Sequence, residues 1–488
     1  MNIKMVLKTL GNILIFEGLI LILPILVSII YREHTEVYFL LTMAISLGIG
    51  YLLSNIKIKN KRIYAKEGFV IVAISWAIVS FVGTLPFYFS GEIPYFIDAL
   101  FETVSGFTTT GATILNDIEG LSKSMLFWRG FTHWIGGMGV LVFVLAFLPQ
   151  SEGQNMFLMK AVVPGPVVGK LVSKVKMTAR ILYAIYAVMT LVEIVLLFIG
   201  DMPLYDSILH SFSTAGTGGL SIKNASIGHY DSYYIDIVIT IFMFLFGVNF
   251  NLYYLIVMKD FKQALKSEEL KWYTIIVLGF TVVISINTLG IYDNVLESFR
   301  YSAFQVVSII TTTGFATADY KLWPSLSKML IFLLMIVGSC AGSTAGGMKI
   351  SRVVILVKAA TSSVKKMSNP RRVSAIEFEG KHVDKQLLDF VYSYFVVYAI
   401  ILFGSMILIS FENLDLITTI TAPLACLGNV GPGFGEIIGP VGNFSSLSGF
   451  SKLVLSFNML AGRLELFPII MLFYSFKDCI TITRKTFK

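Results

Sequence analysis

The chain has 488 residues, 56% hydrophobic and only 14% charged, with a formal net charge of +8 and a mean hydropathy of +0.78. That composition excludes an ordinary soluble domain and a disordered chain, because apolar runs of the roughly 18–25 residues that cross a bilayer recur many times. Cys340, Cys426 and Cys479 are scattered, without C-x-x-C or Cys/His spacing, which excludes a disulfide framework and a zinc site.

In chain order, the predicted spans are 12–31, 36–55, 68–90, 124–148, 180–200, 233–258, 271–291, 326–357, 387–411 and 450–475. The first lacks a small-residue cleavage site and is followed at once by the second, so it reads as a retained span. Basic residues cluster before the first span, after the second, in 160–180, in 259–271, in the loop from Lys349 to Lys385, and at the C-terminus. With alternating spans all six clusters fall on one side, which predicts cytoplasmic termini and accounts for the positive charge without nucleic acid.

After the first pair of spans, one pattern returns four times: a span, a short half-apolar segment, a polar glycine tract, and another span. The short segments cover 95–107, 203–214, 297–310 and 413–426, too short to cross a bilayer but long enough to enter and turn back. The tracts read FTTTGAT (107–113), TAGTGGLS (214–221), TTTGFAT (311–317) and CLGNVGPGFG (426–435). Ser105, Ser213 and Ser308 stand six residues before Gly111, Gly219 and Gly314, and Ala425 holds that place before Gly431. Such internal repetition predicts an all-α polytopic membrane protein with two N-terminal transmembrane helices (1–60) and four helix–pore-loop–helix repeats around a central pore. The repeats would cover 61–150, 151–260, 261–358 (with a broken second helix) and 359–488.

Non-helical backbone at membrane depth is tolerated only where it is buried in protein or lines a wet cavity. Four such tracts on one axis can turn carbonyl oxygens inward, the construction of a cation selectivity filter. Glycine reaches the dihedrals that turn successive carbonyls the same way, and the C-terminal ends of the preceding half-helices favour a cation. Oxygen ligands without a carboxylate ring suit a monovalent ion better than calcium. The candidate filter residues are Thr109, Thr110, Gly111, Thr217, Gly218, Gly219, Thr312, Thr313, Gly314, Asn429, Val430 and Gly431.

The span at 326–357 is interrupted by GSCAGSTAGG (338–347), where each glycine costs about 1 kcal/mol relative to alanine. The residues leave three readings open: a small-residue packing face, a nucleotide loop, or a flexible obstruction beneath the filter. The nucleotide reading suffers from Met348 before Lys349 and from the lack of a preceding strand. Arg463, inside the last span, would cost on the order of 2.5–3.5 kcal/mol to insert, so it faces a cavity or pairs with a carboxylate such as Glu17 or Glu193. Glu465, two residues on, points to another helix face. His133 and His210 read as structural histidines.

The four tracts, above all CLGNVGPGFG, together with WIGGMGVLVFVLAFLP (134–149), SCAGSTAGGMKISR (339–352) and NMLAGRLELFP (458–468), resemble the TrkH-type potassium uptake subunits of the Trk/Ktr/HKT superfamily. The likeness covers nearly the whole chain, and the N-terminal pair and the PGP segment (164–166) favour TrkH over the shorter KtrB branch. The resemblance implies potassium as the transported ion, filter glycines at Gly111, Gly219, Gly314 and Gly431, and a homodimer with one pore per subunit. It also implies an intramembrane gating loop at Gly338, Ser339, Cys340, Ala341, Gly342, Ser343, Thr344, Ala345, Gly346 and Gly347, with Arg463 in the pore beside it. The predicted chain binds no cofactor, has no catalytic residues, and is regulated by a cytosolic TrkA-type ring that binds NAD(H) or adenine nucleotides. Segments 160–180 and 349–385 are its candidate docking surfaces, although topology alone explains their charge. The alternatives are a Na⁺-permeable or Na⁺-coupled transporter, an alternating-access carrier (which would place its breaks in inverted pairs) and an intramembrane enzyme. Unequal walls, with Gly218 and Asn429-Val430 departing from the threonine pattern, leave the filter asymmetric.

Overall fold

A computed structural model describes residues 2–58, 65–139, 175–369 and 375–474. It is almost wholly helical; the strands among the described residues are the antiparallel pair Glu377–Phe378 and Lys381–His382 and one isolated bridge. The N-terminal hairpin joins α1 (Ile3–Ile20) and α2 (Ile22–Tyr31) to α3 (Glu36–Ser54). It packs closely because glycines meet: a β-carbon on Gly11 would lie 2.6 Å from Ser54 N, and one on Gly50 would lie 2.9 Å from Gly11 O. This small-residue contact lets two helices without a hydrophobic drive between them approach backbone to backbone.

Four further units follow. The first is α4 (Ala65–Ser90), α5 (Phe96–Phe107) and α6 (Lys123–Gly137). The second is α7 (Val175–Ile199), α8 (Leu204–Gly216) and α9 (Tyr233–Phe246), continued by α10 (Phe250–Val257). The third is α11 (Glu268–Thr288), α12 (Val295–Ile310) and α13 (Ser325–Ile336), with α14 (Ile350–Ser368) beyond a loop. The fourth is α15 (Lys385–Ile409), α16 (Leu416–Leu427) and α17 (Gly449–Arg463), continued by α18 (Phe467–Tyr474). In each unit the half-helix packs between its two neighbours in sequence. The second helix of each unit also packs on the next half-helix: α6 on α8, α9 on α12, α13 on α16, and α17 back on α5. The units therefore close into a ring in chain order.

The sequence explains the half-helix starts. Asn294 and Asp415 accept from the backbone of Glu297 and Thr418, supplying acceptors for orphan N–H groups at the starts of α12 and α16. Asp98, Asp206 and Glu297 sit in first turns, where carboxylates complement the helix dipole.

Among the described residues, six helices are long and apolar enough to cross a membrane, and two predicted spans differ from expectation. The span predicted at 233–258 bends by 90° between α9 and α10, and that at 450–475 bends by 110° between α17 and α18. The first bend follows from Gly247 and from Asn249, whose side chain caps α10 by accepting from Asn251 N. At the second, Glu465 and Leu466 both take left-handed backbone (φ 53° and 67°), which ends α17. The span at 326–357 is split into α13 and α14, as the glycine-rich run predicts, whereas 124–148 leaves the described residues after Gly139.

Candidate ion pathway

Each half-helix ends in the same backbone motif. The N–H groups of Thr110, Gly218, Thr313 and Val430 donate to Ser105, Ser213, Ser308 and Ala425 O at 2.8–2.9 Å, and those of Thr109, Thr217, Thr312 and Asn429 donate three residues back. This is a Schellman closure, which requires a left-handed residue just past the helix. Thr109, Thr217, Thr312 and Asn429 supply it, with φ of 52°, 53°, 56° and 53°. Two residues on, Gly111, Gly219, Gly314 and Gly431 are again left-handed, with φ of 81°, 71°, 81° and 95°. Each tract thus has left-handed residues at alternate positions, an arrangement that turns neighbouring carbonyls toward one side.

From the sequence, glycine alone is expected to meet this conformational demand. In fact a β-branched threonine carries it in three of the tracts, at a cost of roughly 1–3 kcal/mol each. Strain of that size persists only where the surroundings over-determine it. Here the two helix-closing hydrogen bonds do so in every copy.

The tracts also meet. A β-carbon on Gly111 would overlap Gly218 O, one on Gly219 would overlap Thr313 O, one on Gly314 would overlap Val430 O, and one on Gly431 would lie 2.6 Å from Thr110 O. First touches second, second third, third fourth, and fourth first. All twelve candidate residues lie on this ring and are buried or half-buried. Asn429 Nδ2 ties the fourth wall to the first by donating to Thr110 Oγ1 at 2.9 Å, and it also donates to Met459 O at 2.9 Å. The walls are unequal in their backing. Thr108–Thr110 and Thr311–Thr313 hydroxyl pairs, each at 2.8 Å, stand in the first and third, and glycines occupy the matching places in the second.

A cavity of about 130 Å³ lies on one side of the ring, lined by the four glycines and by Asn116, Asn224 and Lys223. A second, of about 240 Å³, lies against the interrupted span and is lined by Gly342, Gly346, Lys349, Arg352, Arg463 and Glu465 among others.

Between α13 and α14 the chain folds into a compact loop. Gly338 N donates to Met348 O at 2.9 Å and Ile350 N to Ser339 O at 3.1 Å, closing its base. Cys340 N reaches Gly247 O at 3.2 Å, and Gly342 O accepts from Phe250 N at 3.0 Å. Glu269 Oε1, at the start of α11, accepts from Ala341 N (2.7 Å) and Ser351 N (3.1 Å). The loop touches the third tract directly: Gly346 N donates to Thr312 Oγ1 at 2.7 Å. The ten candidate gate residues are therefore gathered next to the ring. Their hydrogen bonds are not those of a plain helix–helix packing face.

Arg463 completes the contact. Its Nη1 donates to Thr344 O at 2.6 Å, and its Nη2 to Gly136 O at 2.5 Å and Gly137 O at 2.7 Å. The guanidinium thus bridges the loop to the end of α6, and its partners are carbonyls rather than a glutamate. The predicted alternative of an ion pair with Glu17 or Glu193 is not what the structure holds.

Other charges of the site are not apparent from the sequence. Lys349 and Arg352 fall within the predicted cytosolic basic cluster, yet both are buried. Lys349 Nζ donates to Ala345 O and, at 3.2 Å, to Gly346 O. Arg352 pairs with Glu465 and stacks over Tyr394, its guanidinium carbon 3.9 Å from the ring centroid. The signal was present: a carboxylate and two cations within apolar runs require partners. Nearer the 130 Å³ cavity, Arg129 and Glu102 form a buried pair at 2.6 Å, and Glu102 also accepts from Thr113 and Ile114. His210 is satisfied as expected, with Nδ1 2.9 Å from Asp206 O and Nε2 3.0 Å from Ser221 Oγ. Cys479, the PGP segment and residues 160–174 lie outside the described residues.

Comparison with known proteins agrees with this architecture. The TrkH family, a cation transport protein, matches residues 35–478. The Trk system potassium uptake protein TrkH of Salmonella typhimurium is 35% identical over 97% of this chain and 99% of its own. TrkG of Escherichia coli, also a Trk system potassium uptake protein, is 32% identical over 97% and 98%. The crystal structure of the potassium transporter TrkH from Vibrio parahaemolyticus superposes with a TM-score of 0.88 at 30% identity, covering 97% of this chain and 98% of that one. The chain belongs to the TrkH family of cation transport proteins.

Proposed function

We propose that this chain takes up potassium across a bacterial inner membrane through the ring formed by its four glycine tracts. The observation that carries the reading is the closed contact of Gly111, Gly219, Gly314 and Gly431 with the carbonyls of the next wall. Carbonyl rings of this kind replace the hydration shell of a cation, and the four half-helices end there with their negative poles. The family and the names of the relatives support potassium as the ion. Inward flow requires no chemical step, since the membrane potential supplies about 2.3 kcal/mol per charge per 100 mV. The chain acts as a transporter rather than an enzyme, with K⁺ as cargo and no cofactor of its own.

In this reading Thr109–Gly111, Thr217–Gly219, Thr312–Gly314 and Asn429–Gly431 form the filter. The loop 338–347 and Arg463 form the gate beneath it, holding a fixed positive charge in the path of a cation. The chain works as a homodimer with cytoplasmic termini, regulated by a TrkA-type nucleotide-binding ring. Exposed Lys365, Lys366, Lys381 and Lys385 remain on the docking face once buried Lys349 and Arg352 are removed from it. The test is ⁸⁶Rb⁺ flux into proteoliposomes with Na⁺ competition. Uptake that K⁺ outcompetes and Na⁺ does not supports the reading; no uptake with or without a cytosolic partner refutes it, and equal competition by Na⁺ favours the Na⁺-permeable alternative.

A further inference from the structure

The second tract lacks the internal support of the first and third. Where those have Thr108 and Thr110, or Thr311 and Thr313, with paired hydroxyls behind the wall, the second has Gly216 and Gly218. The space is filled from another element. A β-carbon on Gly216 would lie 2.9 Å from the carbonyl carbon of His133, and one on Gly218 would lie 2.7 Å from its ring Cγ and overlap Nδ1. His133 belongs to α6, in the preceding unit, and is fully buried. Its Nδ1 lies 3.2 Å from Ser213 Oγ, and that hydroxyl donates to Leu220 O at 2.7 Å, just past Gly219. With the hydroxyl proton directed at Leu220 O, Ser213 Oγ offers its lone pairs to an Nδ1–H of the imidazole.

Ser308 makes the same bond in the third unit, to Phe315 O at 2.7 Å, but with no imidazole behind it. The comparison within one molecule isolates what is special to the second wall. We propose that His133 is a positioning residue for ion selection, its imidazole standing in for the threonine side chain missing at Gly218, its main chain closing on Gly216, and the two together fixing the second wall of the ring from outside. This rests on reading the tracts as a filter. It adds that one wall is set by a side chain from the neighbouring unit. A wall held this way can move only as far as α6 and the Ser213–Leu220 bond allow. Carbonyl position, and hence the preference for one ion radius over another, depends on that support.

The test uses four variants of the full chain in proteoliposomes, each first checked for monodispersity in detergent. His133→Ala removes the support and leaves a cavity; K⁺-over-Na⁺ preference in ⁸⁶Rb⁺ competition should fall roughly 2- to 10-fold, the range of one net hydrogen bond. His133→Gln keeps volume and an N–H donor toward Ser213 and should retain most of the preference. Gly218→Thr alone places its side chain in the imidazole and should lose transport or fail to fold. Combined as His133→Ala/Gly218→Thr, the tract gains one of the two threonines of the first and third walls, in the space the imidazole vacates, and should recover folding and preference above either single variant. The proposal is overturned if His133→Ala transports with wild-type preference, or if the double variant is no better than Gly218→Thr. Wild-type protein that shows no selective uptake would instead sink the filter reading itself, so the two failures are distinguishable.

Discussion

Replacing Gly219 by alanine should disable selective uptake, whereas the same change at Gly91 should leave it intact. Both glycines hold left-handed backbone, with φ of 71° and 75°. Both changes therefore incur the conformational cost of an L residue in that region, about 1–2 kcal/mol. The surroundings differ. Nothing lies within 4 Å of a β-carbon on Gly91, while one on Gly219 overlaps Thr313 O and lies 2.8 Å from Thr313 C and 3.1 Å from Gly314 C. These are main-chain atoms of the next wall and cannot swing aside as a flexible side chain would. Overpacking of this kind adds about 1–3 kcal/mol, equivalent to a change of roughly 5- to 150-fold in an equilibrium. The wall must shift, and through the ring the displacement reaches the third and fourth tracts. Proteoliposome ⁸⁶Rb⁺ uptake with Na⁺ competition reads transport, and thermal unfolding in detergent reads stability. Gly219→Ala with wild-type uptake and selectivity, or Gly91→Ala with an equal defect, refutes the reasoning.

Three more outcomes follow from the same contacts. Arg463→Ala removes the donors to Thr344, Gly136 and Gly137 O, charged bonds worth about 1.5–3 kcal/mol each. Basal ⁸⁶Rb⁺ flux should rise, and unchanged or lower flux at normal expression contradicts the gate assignment. Glu269→Ala leaves the buried Ala341 and Ser351 N–H groups without their acceptor, at about 1–3 kcal/mol each. The melting temperature should drop and basal flux increase, with a smaller effect for Glu269→Gln, which keeps an acceptor oxygen. Arg129→Ala strands Glu102 in the protein interior; breaking such a pair costs about 3–5 kcal/mol. Thermal unfolding should show a large loss, partly recovered when Glu102→Gln is added.

The ring was legible because its signals are local. A short apolar segment followed by a polar glycine tract reads the same in each copy, and the Ser105, Ser213 and Ser308 register fixes which glycine is central. That register singled out Gly219 over Gly218, and the backbone places Gly219 in the left-handed region. The left-handed threonines were not legible, since threonine in isolation disfavours that conformation and only the helix-closing bonds impose it. Nor were the bends after α9 and α17. Asn249 following Gly247 carries a stop-and-restart signal that hydropathy smooths over, whereas Glu465 and Leu466 carry none. The charges beside the 338–347 loop are hidden in the sequence for a different reason. Lys349 and Arg352 look like a topology cluster in one dimension, but their partners, the loop carbonyls and Glu465, are brought to them only by the fold.

The most direct test of the central claim is to locate the ion. Crystals or frozen particles prepared with Rb⁺ or Tl⁺ in place of K⁺ should show density on the axis, within coordination distance of the carbonyl oxygens of Thr110, Gly218, Thr313 and Val430, and it should weaken when Na⁺ is substituted. Density absent from that ring, in protein that still takes up ⁸⁶Rb⁺, would contradict the claim that these four tracts select the ion.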